Sequence, residues 1–200
     1  MEERISFLSE NYQIEGLLDK SSIDNGVVIT HPHPLYGGDM NNFIVDLIAR
    51  AYQKKGFTTL RFNFRGTGKS QGSYNDGTGE QEDVHAAIAT LAKMDFKSID
   101  LAGYSFGAWV NALAIGKSNF IGNMVMVSPP VGLIDFSPVN SISCLKLVVT
   151  GSIDDIAPAD QIKTMYPAWN PKAHLKIING ADHFYSGCLG ELELVLSSNI

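Results

Sequence analysis

Ile99-Asp100-Leu101-Ala102-Gly103-Tyr104-Ser105-Phe106-Gly107-Ala108-Trp109 decides the reading of this chain. A short apolar run of strand type passes into GxSxG and then into a segment of helical period. Glycines two before and two after the serine let the backbone turn sharply between strand and helix, which lifts the Ser105 hydroxyl clear of the sheet edge. A helix N-terminus directly behind that hydroxyl favours developing negative charge. The bland alternative, a Gly-Ser-Gly turn that merely joins two elements, is weighed against this strand-turn-helix context and against the residues elsewhere in the chain.

Outward from that stretch, short β-rich runs alternate with longer helical ones. This is the pattern of an α/β protein, a mostly parallel sheet of about seven or eight strands with helices on both faces. Residues 5–8 and 13–18 flank Glu10-Asn11 and predict an antiparallel hairpin at one edge. Interior strands are expected at 27–30, 58–64, 98–102, 124–128, 145–150 and 175–178, each apolar and bounded by Gly, Pro, Asn or Asp. Phe43, Ile44, Leu47, Ile48 and Ala51 share one helical face, with Asp46, Arg50 and Lys54 opposite and Gly56 closing the helix. Thr78 followed by Gln81 predicts a capping box, with Val84, Ala87, Ile88 and Leu91 as the apolar stripe behind it. In the tail Leu192, Leu194 and Leu196 alternate like a strand, but Tyr185, Cys188, Leu189, Leu192, Val195 and Leu196 fit a helix better, and a helix is expected. No repeat or linker interrupts the pattern, so residues 1–200 are expected to form one domain.

Composition narrows the function. With 44% apolar and 18% charged residues in 200, the chain can bury a sizeable core and disorder is not expected. Fifteen basic against twenty-one acidic residues give a net charge of −6, which disfavours nucleic acid and anionic lipid as partners. The start Met1-Glu2-Glu3-Arg4 is acidic where a secretory signal is basic, and no apolar run reaches the ~18–20 residues of a membrane span; a cytoplasmic location is expected. Cys144 and Cys188 are too few for a disulfide framework and are read as free thiols.

A serine hydroxyl needs a base within hydrogen-bonding reach. In open α/β sheets the working end lies at the C-terminal edge of the strands. His174 precedes its strand, and His85 lies mid-helix, where a half-buried structural ring is expected. His183 follows the last strand through Asn179-Gly180-Ala181-Asp182 and is the best base. The imidazole in turn needs a carboxylate, for which Asp154 and Asp155 follow the strand at 145–150; Asp135 ranks third, and Asp182 is read as structural. For the oxyanion, one N–H should be that of Phe106. The other comes from the loop His31-Pro32-His33-Pro34-Leu35-Tyr36-Gly37-Gly38, where the prolines have no N–H; His33 is the first donor, with Leu35, Tyr36 and the glycines behind it. A metal at the HPH triplet is not expected, since prolines flank it and a third ligand is lacking. Gly66-Thr67-Gly68-Lys69-Ser70 ends like a phosphate-binding loop, but Asn63 stands where the first glycine is required, so nucleotide binding is rejected and no cofactor is expected. Arg65 is expected in local carbonyl or carboxylate bonds there.

Together these elements resemble the α/β-hydrolase superfamily, in particular its small lid-less bacterial serine hydrolases. The likeness is carried by HPHPxxGG at His31–Gly38, LRFNFRGxGxSxG at Leu60–Gly72, GxSxG at Gly103–Gly107, GxxDxxxP at Gly151–Pro158 and GxxHF at Gly180–Phe184. It covers essentially the whole chain, in the order Ser, Asp, His. The resemblance implies Ser105 as nucleophile, Asp154 rather than Asp155 as acid, His183 as base, and His33 with Phe106 as oxyanion donors. Asp155 stands where many relatives have another residue. Only sixteen residues separate Ser128 from Leu145, too few for the cap domain of larger relatives. An open cleft for a small-molecule acyl substrate is therefore expected, with Tyr36, Tyr104, Trp109 and Pro129 as walls, and activity on short-chain or small esters. A peptidase, amidase or thioesterase with the same triad, or a hydrolase-fold binding module without turnover, are the competing readings.

Overall fold

A computed structural model describes residues 2–21, 24–115 and 121–200. Eight strands form one sheet: β1 (Glu3–Ser9), β2 (Tyr12–Asp19), β3 (Asn25–Thr30), β4 (Thr58–Phe62), β5 (Ser98–Tyr104), β6 (Ile121–Val127), β7 (Leu145–Gly151) and β8 (His174–Ile178). Their spatial order is β1-β2-β4-β3-β5-β6-β7-β8. The β1–β2 hairpin pairs antiparallel, and β2 adds antiparallel to β4; the other six strands run parallel. The apolar runs are continuous because these strands are covered on both faces. Alternation still sorts them. Val27, Ile29, Ala102, Tyr104, Leu147 and Val149 pack with α1 (Phe43–Lys54) and α5 (Leu189–Asn199). Val28, Leu60, Leu101, Met124 and Val148 pack on the other face with α2 (Thr78–Ala92), α3 (Phe106–Ala114) and α4 (Ala159–Trp169). Each fully buried Val, Leu or Ile contributes about 1.5–3 kcal/mol.

The strand order locates the working crevice. From β3 the chain winds outward through α1 to β4 on one side, and β5 takes the position on the other side of β3. The loops after β3 and β5 therefore part at their C-terminal ends, the switch point where open α/β sheets bind ligands.

Several local expectations need correction. Glycine 77, rather than Thr78, caps α2: Glu80 accepts from the N–H of Gly77 at 2.8 Å and of Asn75 at 2.9 Å. A carboxylate can serve two donors and also suits the positive end of the helix, whereas Gln81 instead donates to the carbonyl of Gly77. His85 is exposed, because the buried side of α2 runs through Asp83, Val84, Ala87 and Leu91. Phe43 opens α1 beside its Asn42 cap and is 80% exposed instead of joining the apolar face. β4 stops at Phe62 instead of Phe64, and β6 starts at Ile121, three residues earlier than the pattern suggests. Helix α4 went unread because Pro167 interrupts its pattern; the proline sits in the last turn, after most of the ladder is made. Both cysteines are free thiols. Among the described residues no helix is long and apolar enough to cross a membrane.

Candidate active site

Ser105 sits between β5 and α3 with φ 53° and ψ −121°, a backbone state that L-residues adopt only when their surroundings hold them there. Its N–H donates to Val127 O at 2.9 Å, tying the turn to β6. The two motif glycines are required by close approach. A Cβ on Gly107 would meet Thr30 Oγ1 at 2.6 Å and His31 O at 2.7 Å, and one on Gly103 would meet Ala108 N at 2.6 Å. The elbow is thus wedged against the loop after β3.

His183 comes from the loop after β8 and Asp154 from the loop after β7. His183 Nε2 lies 2.9 Å from Ser105 Oγ, and Nδ1 lies 3.0 Å from both carboxylate oxygens of Asp154. All three residues are buried. An ionised carboxylate only accepts, so Nδ1 carries the proton and Nε2 presents its lone pair to the serine hydroxyl. Tyr104 Oη donates to His183 O at 2.9 Å and anchors the histidine loop from beneath. Asp154 Oδ1 also accepts from the N–H groups of Ile156 at 3.0 Å and Ala157 at 2.7 Å. Burial opposes its charge, but the bonds from His183, Ala157 and Ser128 outweigh burial and hold its pKa below the usual carboxylate value. Asp155 next door is exposed. Asp182 accepts from the N–H groups of Phe184 and Ser186 and shapes its own turn.

In the loop after β3, the N–H groups of Tyr36 and Gly38 bond to His33 O, that of Gly37 to Pro34 O, and that of Leu35 to His33 Nδ1. The N–H of His33 makes no hydrogen bond among the described residues. Phe106 is the first residue of α3, so its N–H precedes the helical ladder. Both rings of the HPH triplet are committed to the protein. His31 is fully buried between Pro32 O and the N–H of Phe64, and burial pushes its pKa down to about 4. His33 stacks among Tyr36, Tyr74 and Phe106, with Nε2 3.2 Å from Tyr74 Oη. Arg65 is buried, with bidentate bonds to Asp83 and a third contact to Glu10, and holds the neighbouring glycine loop.

Above the serine opens a cleft of about 350 Å³. Tyr36 lines it as expected, and Tyr104 closes its floor. Trp109 and Pro129 do not line it. Trp109 lies farther along α3, with its indole N–H on Asp135 O and its ring against Phe106. Pro129 is buried, and Pro130 takes the place expected of it. Asn42 and the apolar side chains of Leu133, Ile134, Ile156 and Phe184 also line it, and the sequence reading missed them. Leu133 is 60% and Phe184 67% exposed; apolar side chains in loops that follow strand ends were the available signal. Among the described residues no Asp, Glu, Lys or Arg side chain lines this cleft.

A parallel sheet with a strained serine elbow at its switch point and an imidazole and carboxylate in line behind it defines an α/β hydrolase. The comparisons carry this further. A solved α/β serine hydrolase homologue from Coxiella burnetii is 33% identical, with a TM-score of 0.90, covering 99% of this chain and 97% of that one. XC6422 from Xanthomonas campestris, described as an α/β serine hydrolase without lid, is 28% identical with a TM-score of 0.90, covering 99% of this chain and 93% of that one. The uncharacterized protein RP471 of Rickettsia prowazekii is 36% identical over 194 residues, 91% of this chain and 82% of that protein. No family model matches the chain. The chain belongs to the α/β serine hydrolases.

Proposed function

We propose that this hydrolase is a serine esterase acting on small, uncharged acyl esters. The observation that carries the reading is the continuous Ser105–His183–Asp154 hydrogen-bonded chain opening into an uncharged cleft. Ser105 Oγ attacks the acyl carbon while His183 Nε2 takes its proton, and Asp154 stabilises the imidazolium. The N–H groups of His33 and Phe106 hold the oxyanion. Collapse breaks the ester C–O bond, and the imidazolium returns the proton to the departing alcohol. Water, deprotonated by the same nitrogen, then attacks the acyl-enzyme and releases the acid and the free serine.

Substrate scale follows from the cleft. A volume of about 350 Å³ lies at the low end of ligand pockets, ~300–1,000 Å³. Among the described residues its walls offer no Lys or Arg for an acidic substrate and no Asp or Glu for a peptide amine, which favours neutral esters over amino-terminal peptides. The test is stoichiometric fluorophosphonate labelling of Ser105 with a panel of acetyl, butyryl and long-chain nitrophenyl esters. Labelling, preference for the shorter esters, and a loss on the order of 10⁴–10⁶ in kcat for Ser105→Ala are expected. Absent or very slow labelling indicates a binding module instead, and a clear preference for the longest chain refutes the substrate scale.

A further inference from the structure

The glycine-rich loop between β4 and α2, which ends like a phosphate-binding loop without being one, runs beside the candidate oxyanion donors. Gly66 donates its N–H to Gln71 O at 3.1 Å, and a Cβ on Gly66 would meet Ser73 Cα at 2.9 Å, so the loop doubles back on itself. Farther on, Glu80 accepts from the N–H of Asn75 at 2.9 Å and ties the chain to the start of α2. Tyr74 stands between these two anchors. Its hydroxyl lies 3.2 Å from His33 Nε2, and its ring centroid lies 5.1 Å from that of His33 and 5.9 Å from that of Phe106. The His33 and Phe106 rings are themselves 4.7 Å apart. The three rings close a triangle, and two of its corners are the residues whose N–H groups are the candidate oxyanion donors. Tyr74 stays out of the substrate cleft and lines a separate groove with Gly37, Gly38 and Gly66.

The donor inventory fixes the direction of the Tyr74 bond. Leu35 donates its N–H to His33 Nδ1 at 3.2 Å, so Nδ1 has no proton. Burial pushes the His33 pKa down and keeps the ring neutral, so its one proton sits on Nε2 and goes to Tyr74 Oη. The imidazole is thus held at both nitrogens. Pro32 O accepts from His31 Nδ1 at 2.7 Å, which orients the planar peptide that also carries the His33 N–H. That bond sets the direction of one donor and leaves its distance from the other open. The two donors follow different strands, β3 and β5, and the ring contacts join them. An oxyanion needs both N–H groups about 2.7–3.1 Å away at once.

We propose that Tyr74 is a positioning residue for the oxyanion hole: by accepting from His33 Nε2 and packing on the His33 and Phe106 rings, it holds the two N–H groups at the spacing a tetrahedral oxyanion requires. The glycine-rich loop is the frame that carries it. This rests on the esterase reading of the same site. The oxyanion forms only in the reaction, and Tyr74 does not touch the cleft, so its loss should appear in kcat and not in KM.

Tyr74→Phe keeps the ring and deletes the oxygen, which separates the bond from the packing. With nitrophenyl butyrate, kcat should fall about fivefold with KM within about twofold and little change in melting temperature. Tyr74→Ala removes bond and packing together and should cost about thirtyfold, short of the ~10²–10³ lost with a whole oxyanion donor. A trifluoromethyl ketone, which adds to the serine as a tetrahedral oxyanion, should lose affinity in each variant by the same factor as kcat, a proportion that general loosening would not produce. In a His33→Phe background, Tyr74→Phe should add no further loss, because the bond is already gone. Wild-type kcat in Tyr74→Phe overturns the inference, as does a fall in kcat that leaves ketone affinity intact, or losses that multiply in the double variant. Fluorophosphonate labelling of the wild type keeps the two claims apart: a labelled, active wild type with an indifferent Tyr74→Phe removes only the positioning role, whereas an unlabelled, inactive wild type removes the esterase reading and the positioning role with it.

Discussion

Replacing Asp154 with Asn tests the proposed mechanism at its most constrained point. Asp154 Oδ1 accepts from the N–H groups of Ile156 at 3.0 Å and Ala157 at 2.7 Å. An asparagine must keep its carbonyl oxygen there, because the NH₂ group would oppose two donors. Its amide nitrogen then faces His183 Nδ1, 3.0 Å from the present carboxylate oxygen. The amide N–H opposes an Nδ1–H, and the retained oxygen, also 3.0 Å from Nδ1, already accepts from two backbone N–H groups, so the balance shifts to the tautomer with its proton on Nε2, pointing N–H at Ser105 Oγ, 2.9 Å away. The base is lost while the geometry survives. The same change in the serine-protease triad costs ~10⁴ in kcat, about 5 kcal/mol of transition-state stabilisation. Steady-state hydrolysis of nitrophenyl butyrate by Asp154→Asn should therefore show kcat down ~10⁴ with KM little changed. Asp155→Asn, at an exposed side chain, should stay near wild type. An Asp154→Asn enzyme that retains a tenth of wild-type kcat, or an Asp155→Asn enzyme that loses activity, refutes the argument.

Two stability predictions follow from buried ionisable groups. The His31 pKa is about 4 in the fold against 6.5 for the free side chain, so the unfolded chain takes up a proton that the native site refuses. The native state is favoured fully above pH 6.5 and loses about 3 kcal/mol as pH falls towards 4. Denaturant melts at pH 7, 5.5 and 4 should show that decline, and His31→Gln should flatten it; an unchanged slope in the variant contradicts the assignment. Arg65→Ala leaves the wholly buried Asp83 carboxylate unpaired and should cost about 3–5 kcal/mol. Arg65→Lys, which has no bidentate fork, should recover only part of that, and a loss under about 1 kcal/mol would show that water or a rearrangement takes over the pairing.

Where local backbone chemistry leaves no choice, the residues are readable in order. GxSxG between a strand and a helix, an apolar run bounded by Gly and Asp, and a β-hairpin across Glu10-Asn11 each constrain φ, ψ and face within a few positions. That was enough for an eight-stranded α/β sheet and to single out Ser105, His183 and the pair Asp154/Asp155 as candidates. Finer local choices failed where two neighbours compete for one role. Glu80 displaced Gln81 because it serves two N–H groups at once, and Phe43 and His85 turn outward although a helical wheel places them at the apolar edge. The rest was decided in three dimensions. Asp154 rather than Asp155 faces His183 because the turn after β7 orients one side chain inward, and Pro130, Leu133 and Phe184 wall the cleft because the loops after β6 and β8 meet above the serine. The hydroxyls of Ser128 and Tyr185 meet across 57 residues of chain. Such contacts join residues far apart in sequence, and only the order in which the strands assemble determines which of them meet.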